Sequence, residues 1–360
     1  MGKQFYYEVG LDLHKNYSQV AVVNPKGTTC NQVKIPNEPQ MLDIFFCSLD
    51  KPFRVTFEST RNYYWLADYL NDKKIPFVMA NPYLNRMIAT VHAKNDTYDA
   101  QVLANLTRTN LVAKCYVPDK NIRYLRELIR HRASLIRMRT LAKNKIQALL
   151  CKYNVKAPYH YVFGTKGRTW IENEVFPPLV KLLLDENLSV IESIDTRVQF
   201  IYERIKNRVL KHPWYRILTS IPGIGLIHAA TLIAEIADIF RFRNPNSLVR
   251  YTGLSVNTFA SADVIHAGHI HKQSNKYIRT ALVEAVPHVV GKDPGLGCFF
   301  GHLKAKRGHA IACVAVARKL CRSIYFMLKK NEPYKYRRIQ KAWVRDYARI
   351  TTRVLSSGRL

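Results

Sequence analysis

The sequence has no apolar run that approaches the roughly 20 residues of a membrane-spanning helix, and it carries no lipidation motif. Its N-terminus enters a strand-like pattern at once and lacks the charged and apolar regions of a signal peptide. These absences predict a cytoplasmic protein with no membrane partner.

Paired cysteines are also lacking. The seven cysteines are scattered, odd in number and never separated by only two residues. This pattern argues against a disulfide framework and against a zinc knuckle of the CxxC type. It predicts free thiols in a reducing compartment.

Acidic residues are scarce. The chain has 26 Asp and Glu against 56 Lys and Arg, a net charge of +30. A hydrophobic content of 48% indicates a folded protein, so the charge belongs to a structured surface. Such a surface favours polyanions, and nucleic acid is the first candidate. An anionic membrane is the competing partner, which the lack of any anchor disfavours.

Residues 1–117 alternate strand and helix signals. Three strand-like segments in succession precede alternating helix and strand, which is the element order of a ribonuclease-H-like mixed sheet. We therefore predict an N-terminal α/β domain of this type.

The rest of the chain is predicted to be mainly helical. Residues 118–212 form a basic helical region, in which Ile191, Ile194, Val198, Ile201 and Ile205 create a coiled-coil-like seam. Core packing explains such a seam more often than oligomerisation does. Residues 213–345 form a helical C-terminal domain, and residues 346–360 form a basic tail.

Four acids are predicted to share one end of the sheet. Asp12 lies on the first strand and Glu58 ends the strand beside it, while Asp96 and Asp99 stand three residues apart at the start of a helix. Positions i and i+3 of a helix face the same way. Four carboxylates in one place require cations, and Mg²⁺ (or Mn²⁺) prefers such oxygen ligands. Taken singly, each acid has an ordinary alternative, such as a turn, a helix cap or an ion pair.

Two features predict contacts with phosphate. "SIPGIG" has the form of a helix-hairpin-helix turn, in which Gly223 and Gly225 expose backbone N–H groups beside a helix N-terminus; a plain glycine-rich linker looks similar. The second is the basic helix around residues 122–137, although a solvated face is its alternative. Its predicted phosphate contacts are Arg123, Arg126, Arg130 and Arg137.

A polar stretch follows the hairpin, "YTGLSVNTFASADVIHAGHIHKQSNKYIR". Its serines need an activating base or metal to act as nucleophiles. Its three histidines are interpreted as phosphate or solvent contacts rather than as metal ligands. Lys272 and Arg279 are predicted to bind nucleic acid.

These motifs together resemble one family. "GLDLHK", "ES", "KNDTYDA", "SIPGIG", "YTGL", "GHIHK" and "NKYIRTALVEA" occur in the order found in the DEDD transposases of IS110-type insertion sequences, the bridge-RNA-guided recombinases related to the Piv DNA invertase.

The resemblance implies a RuvC-like catalytic domain, a coiled-coil segment and a C-terminal domain that supplies a nucleophilic serine. The catalytic acids carry over to Asp12, Glu58, Asp96 and Asp99, and the serine to Ser261. Around Ser261 the chain reads "ASA" where the family has "QSG", and Ser274 stands where a glycine is usual. Ser274 is therefore a second candidate nucleophile.

The resemblance also implies partners. They are target and donor DNA, a structured guide RNA, and further copies of the chain, as a dimer that pairs into a tetramer. Location at the nucleoid of a prokaryotic cytoplasm follows.

Other functions remain open from the residues alone. A protein-only invertase of the Piv type shares the motifs. A RuvC-like endonuclease or Holliday-junction resolvase would use activated water without a covalent step. A non-catalytic nucleic-acid scaffold would need none of the acids.

Overall fold

A computed structural model of the chain describes residues 6–88, 96–261, 264–270 and 274–337, with the backbone alone described at 96–97, 256–261 and 264–270. The chain divides into two compact units, Met1–Lys120 and Asn121–Leu360. The domain boundary predicted after residue 117 lies close to this division. The further boundary predicted after residue 212 falls within the second unit and stays a prediction, and the proposed tail, 346–360, lies outside the described residues.

A six-stranded mixed sheet forms the frame of the first unit. Its strands are Tyr7–Leu13 (β1), Tyr17–Val23 (β2), Thr29–Pro36 (β3), Phe53–Glu58 (β4), Phe77–Ala80 (β5) and Lys114–Cys115 (β6). The order across the sheet is β3-β2-β1-β4-β5-β6. The β1–β2, β2–β3 and β5–β6 pairs are antiparallel, whereas β4 runs parallel to both β1 and β5. This arrangement is consistent with the predicted ribonuclease-H-like fold.

Four helices belong to this sheet: Pro39–Cys47 (α1), Tyr63–Asp72 (α2), Pro82–Ile88 (α3) and Asp96–Arg108 (α4). Helices that alternate with strands were predicted for this region. The short helix α3 was missed because "NPYL" is typical of a turn. Here the Asn81 side chain accepts hydrogen bonds from the N–H groups of Tyr83 and Leu84 and so stabilises the start of α3.

The two faces of the sheet have different coverings. Val9 and Leu11 of β1 share a fully buried apolar cluster with residues of α1 and α2 such as Leu42 and Leu66. Since successive side chains of a strand alternate between faces, Gly10 points to the other face. There it meets α4. This alternation decides which catalytic candidates face α4.

Gly10 allows α4 to approach the sheet closely. A Cβ atom added at Gly10 would collide with the backbone oxygen of Ala100 and the backbone nitrogen of Ala104. Both of these alanines are fully buried. A hydrogen bond of 2.8 Å between the hydroxyls of Thr56 on β4 and Thr107 on α4 holds the same interface.

We expect Gly10→Ala to destabilise the protein by about 1–3 kcal/mol, because α4 must move away from the sheet to admit the methyl group. The urea midpoint, followed by circular dichroism, measures the change. Gly291→Ala is the matched control, since nothing lies within 4 Å of a Cβ added at Gly291. An equally stable Gly10→Ala variant would show that the close approach is not required.

The second unit is mainly helical and contains one β-hairpin. Its helices are Lys120–Lys152 (α5), Thr165–Asn173 (α6), Pro178–Val209 (α7), Trp214–Thr219 (α8), Leu226–Ile236 (α9), Pro245–Thr252 (α10), Lys276–Lys292 (α11), Pro294–Arg307 (α12) and His309–Lys330 (α13). The hairpin consists of Val256–Ser261 (β7) and Val264–Ile270 (β8). The sequence did not predict α6 or the hairpin.

The apolar residues of the predicted α7 seam pack against α5 of the same chain. Ile194 and Val198 are buried in one cluster with Leu135 of α5. Nearer the start of α7, Ile191 packs in another cluster with Ile146 of α5. The prediction that the stripe serves core packing is confirmed.

The largest core of the second unit joins α5 and α7 to helices α8–α13. Leu218, Leu232, Leu282 and Leu320 are each fully buried in it. Among the described residues, no helix is long and apolar enough to cross a lipid bilayer.

Candidate functional site

Asp12 and Glu58 lie at the same edge of the sheet. Leu11 of β1 pairs with Phe57 of β4 in parallel register, and the two acids directly follow these residues. Because Gly10 and Thr56 face α4, alternation places Asp12 and Glu58 on that same face.

Asp99 brings a third carboxylate to this edge. It immediately precedes Ala100, the residue of α4 that rests on Gly10. Its charge reaches Glu58. Burial, then the negative charges of Asp12 and Asp99, raise the pKa of Glu58, while Arg86 lowers it. The charges of Asp12 and Asp99 thus both act on Glu58, and the four-acid site stays a prediction.

The fourth acid, Asp96, is the first residue of α4, and its side chain lies outside the described atoms. Among the described side chains, no group of three His, Cys, Asp or Glu is close enough to hold a metal ion. The donor chemistry nevertheless suits a divalent cation. The negative charges of Asp12 and Asp99 oppose the ionisation of Glu58, and a bound cation would offset this repulsion. Carboxylate oxygens are the ligands that Mg²⁺ prefers. Asp12, Glu58 and Asp99, together with Asp96, remain the residues that the sequence predicts for such an ion.

Sequence reasoning missed His14 beside Asp12. Its Nε2 lies 3.0 Å from Oδ2 of Asp12, and its ring stacks on Tyr17 with centroids 4.6 Å apart. The backbone carbonyl of His14 accepts hydrogen bonds from the side-chain amides of Asn37 and Asn62. These contacts fix the chain directly after β1. The sequence signal that could have revealed this contact is the position of His14, two residues after Asp12.

Arg86 was also missed, because it belongs to the unpredicted helix α3. Its positive charge lowers the pKa of Glu58 and so favours the charged form of that carboxyl. A positive side chain at this edge can approach a DNA phosphate near the acids.

Neutralising Glu58 is expected to stabilise the metal-free protein. A carboxylate with a raised folded-state pKa contributes stability below its unfolded pKa and loses that contribution as pH rises through the folded value. Glu58→Gln should therefore melt roughly 2–4 °C above wild type at pH 8 in EDTA, with a smaller difference at pH 5.

Thermal melts at both pH values measure this effect. Glu186→Gln, at an exposed position of α7, is the control and should give no such pH-dependent gain. A Glu58→Gln variant that melts below wild type at pH 8 would contradict the repulsion among the three acids.

Ser261 is the last residue of β7 and pairs with Val264 of β8. It therefore stands where the first strand of the hairpin ends, although its side chain is not among those described. The sequence analysis assigned no strand to the polar stretch that contains this serine, whereas its backbone belongs to β7. Lys272 lies outside the described residues.

Ser274, the second candidate nucleophile, is tightly packed. It lies against Gly253, where an added Cβ would collide with its side chain. Its hydroxyl accepts a hydrogen bond of 3.1 Å from Arg279. Ser274 and Arg279, the latter a predicted nucleic-acid contact, thus hold each other at the start of α11.

The predicted helix-hairpin-helix turn connects α8 to α9. Gly223 has a φ of +82°, and an added Cβ there would lie 2.8 Å from the Cβ of His288, so both the turn and the packing require glycine. Gly225 precedes α9 as its N-cap, and nothing lies within 4 Å of a Cβ added there. The first backbone N–H groups of α9 follow this open position, as phosphate binding requires.

The four arginines predicted to bind nucleic acid separate into two groups. Arg123 and Arg126 are buried, and Arg126 donates two hydrogen bonds to the carbonyl of Ala234. Arg130 donates to both carboxylate oxygens of Glu235 at 2.9 and 3.0 Å. The geometry thus favours structural roles for these three, because their side chains are used within the fold. Arg137 is exposed and keeps its predicted role.

Glu235 is the counter-charge of this arrangement. Its side chain is fully buried, and it is paired with Arg126 and Arg130. It also accepts a hydrogen bond of 2.7 Å from Asn275, whose side-chain oxygen caps α11.

We expect Glu235→Ala to destabilise the protein by about 3 kcal/mol, because it leaves two cations unpaired where they are partly or fully buried. Urea unfolding measures the loss. Glu203→Ala removes an exposed carboxylate paired with Lys206 and should change stability by less than about 1 kcal/mol. Equal effects of the two substitutions would contradict the structural role of Glu235.

Comparison with known proteins gives two family matches. The DEDD transposase model of the IS110 family matches residues 9–155, and the model of the IS116/IS110/IS902 transposase family matches residues 215–297. The first match contains the four acids, and the second contains the hairpin turn and Ser261.

Several curated relatives are transposases. The transposase for insertion sequence element IS1111A of Coxiella burnetii is 26% identical over 67% of this chain and 68% of its own length. A probable family 20 transposase of Pseudomonas aeruginosa is 24% identical over 67% and 74%. The transposase for insertion sequence element IS1328 of Yersinia enterocolitica is 22% identical over 77% and 81%.

Proposed function

The chain belongs to the IS110 family of transposases, and on that basis we propose that it is an RNA-guided DNA recombinase of a mobile insertion sequence. Transposases cleave and rejoin DNA strands, so DNA is its substrate. One observation carries the proposal. Asp12 and Glu58 follow paired residues of two parallel strands, and the negative charges of Asp12 and Asp99 both oppose the ionisation of Glu58.

The four acids are proposed to hold divalent cations, Mg²⁺ or Mn²⁺. When bound, such ions supply Lewis-acid stabilisation of the charge that develops on the phosphate oxygens. The acids would hold these ions at the sheet edge where the scissile phosphate is to bind, and Arg86 offers that phosphate a positive charge. His14 keeps Asp12 oriented through the 3.0 Å contact.

Ser261 is proposed as the nucleophile. Its hydroxyl oxygen forms a bond to phosphorus while one bridging P–O bond of the DNA breaks, and the departing sugar oxygen takes up a proton. In the reverse step a sugar hydroxyl attacks the phosphoserine, the Oγ–P bond breaks and Oγ regains a proton. One phosphoester replaces another at each step, so rejoining needs no external energy source.

The guide RNA is proposed because the family resemblance implies it, and the net charge of +30 suits a polyanion of this kind. Base pairing between guide and target would then select the sequence, while the protein contacts backbones. Assembly into a dimer that pairs into a tetramer would bring two DNA duplexes together.

The proposal is tested by purifying the protein from its host and analysing what it retains and cleaves. We expect a discrete RNA of defined sequence that RNase removes, and cleavage of element-end DNA that EDTA stops. Recombination by RNA-free protein would instead support the protein-only invertase. Cleavage that never leaves protein attached to DNA would support the RuvC-like endonuclease.

A further inference from the structure

A cleft of about 470 Å³ lies between α5, α9 and α11 of the second unit. This volume is typical of a site for one small ligand. Its walls are apolar where Ile129, Ala133 and Ala281 line it, while Arg132, Arg137 and Lys276 also belong to the lining. An apolar interior with cations around it suits a flat ring that carries a negative group.

One N–H group of Arg132 lacks a hydrogen-bond partner among the described residues. This group is the Nε–H, and its nitrogen is buried. Burial, and then the positive charge of Arg139, lower the pKa of Arg132. Since an arginine in a protein stays protonated, this N–H group is a charged donor without an acceptor. An unsatisfied buried donor costs free energy, which an anionic ligand would recover.

One carboxylate, Glu284, lines the cleft together with three cationic side chains. Glu284 lies 2.9 Å from Nε2 of His228, which pairs with it across the cleft wall. The three cationic side chains therefore determine the sign of the local charge.

The cleft lies next to the predicted helix-hairpin-helix turn. Ile227 and His228 line it, and both belong to the first turn of α9, directly after Gly225. A strand whose phosphate lies at the Gly225 turn would therefore pass beside the cleft. Tyr277 adds an aromatic ring to the wall, of the kind that receives unstacked bases in other nucleic-acid-binding proteins.

We propose that this cleft binds one unpaired nucleotide of the nucleic acid that lies along the second unit, with its phosphate at Arg132 and its base against the apolar wall. The proposal rests on the proposed function, because it takes nucleic acid as the partner. A fully paired duplex has no unpaired nucleotide and would leave the cleft empty.

The test compares two duplexes that differ by one bulged nucleotide at their centre. Affinities of the full-length protein are measured by fluorescence anisotropy at fixed salt, in DNA and in a matched RNA duplex. Wild type should bind the bulged form of at least one of them about tenfold more tightly than the perfect form. A ratio near one in both would overturn the proposal.

Variants separate the cleft from a general preference for bent duplex. Thr280→Trp fills the cleft from an exposed position of α11 and keeps the charge, so the ratio should fall to within about twofold. Arg132→Met should lower it similarly. Thr280→Ser should retain the wild-type ratio. Lys145→Gln removes a positive charge from an exposed position of α5 outside the cleft and should weaken both complexes equally.

A Thr280→Trp variant that keeps the tenfold ratio would also overturn the proposal. Because cleavage of element ends is measured separately, the two conclusions can fail independently. A protein that cleaves DNA without a bulge preference removes this inference alone. A bulge preference without cleavage supports the inference and contradicts the proposed function.

Discussion

Asp12→Asn is expected to lower the rate of DNA strand cleavage by about 10⁴-fold, the range seen when an essential catalytic group is lost. Asp12 acts on Glu58 through its charge, as Asp99 does. The substitution therefore removes a proposed metal ligand with almost no change in the volume of the side chain. Binding of nucleic acid should persist, because it depends on the cations of a chain with a net charge of +30.

Single-turnover cleavage of element-end DNA, with an affinity measurement on the same preparation, checks this expectation. Asp72→Asn is the matched control, because it removes a carboxylate from the exposed end of α2 in the same unit. Cleavage by Asp12→Asn at the control's rate would reduce Asp12 to a structural residue and contradict the proposed metal site.

Ser261→Ala should abolish the covalent protein–DNA intermediate and lower strand cleavage by about 10⁴-fold. Without Oγ no phosphoserine can form, whereas the acids of the first unit are untouched. The substitution lies at the end of β7, in a short hairpin, so we expect stability and DNA affinity to stay close to those of wild type.

Denaturing gels that separate free protein from DNA-linked protein measure the intermediate. Ser274→Ala is the matched control and should retain it, since Ser274 is engaged with Arg279 and Gly253. The reverse outcome, in which only Ser274→Ala loses the covalent complex, would move the nucleophile to Ser274. Unchanged cleavage in both variants would favour the endonuclease.

The sheet and its acids were predictable because their signals are local. Strands β1 and β4 combine buried apolar residues with an acid near the end of each strand, and the parallel pairing of the two strands then brings Asp12 and Glu58 together. Asp99 could be placed from the i and i+3 spacing of α4. Arg86 could not be placed, because its helix has only seven residues and begins with proline.

The basic helix shows where sequence reasoning fails. Arg126, Arg130 and Arg137 look alike on a helix with many cations. Only the fold reveals that a buried glutamate from α9, more than a hundred positions later, lies against the first two. Pairing over such a separation leaves no local pattern, so structural and ligand-binding arginines cannot be told apart from spacing alone.

Gly10 illustrates a different limit. Its neighbours predict a strand, and a strand glycine normally suggests a bulge or a close approach. The partner in that approach is the backbone of α4, which the sequence does not specify. The residue that lets Asp99 reach the sheet therefore becomes visible only through packing.

The most direct measurement of the central claim is Mn²⁺ binding, followed by electron paramagnetic resonance of the free ion, for wild type, Asp12→Asn and Asp72→Asn. If the acids at the sheet edge form a cation site, wild type and Asp72→Asn should bind Mn²⁺ alike and Asp12→Asn at least about tenfold more weakly. Equal binding by all three proteins would contradict the account.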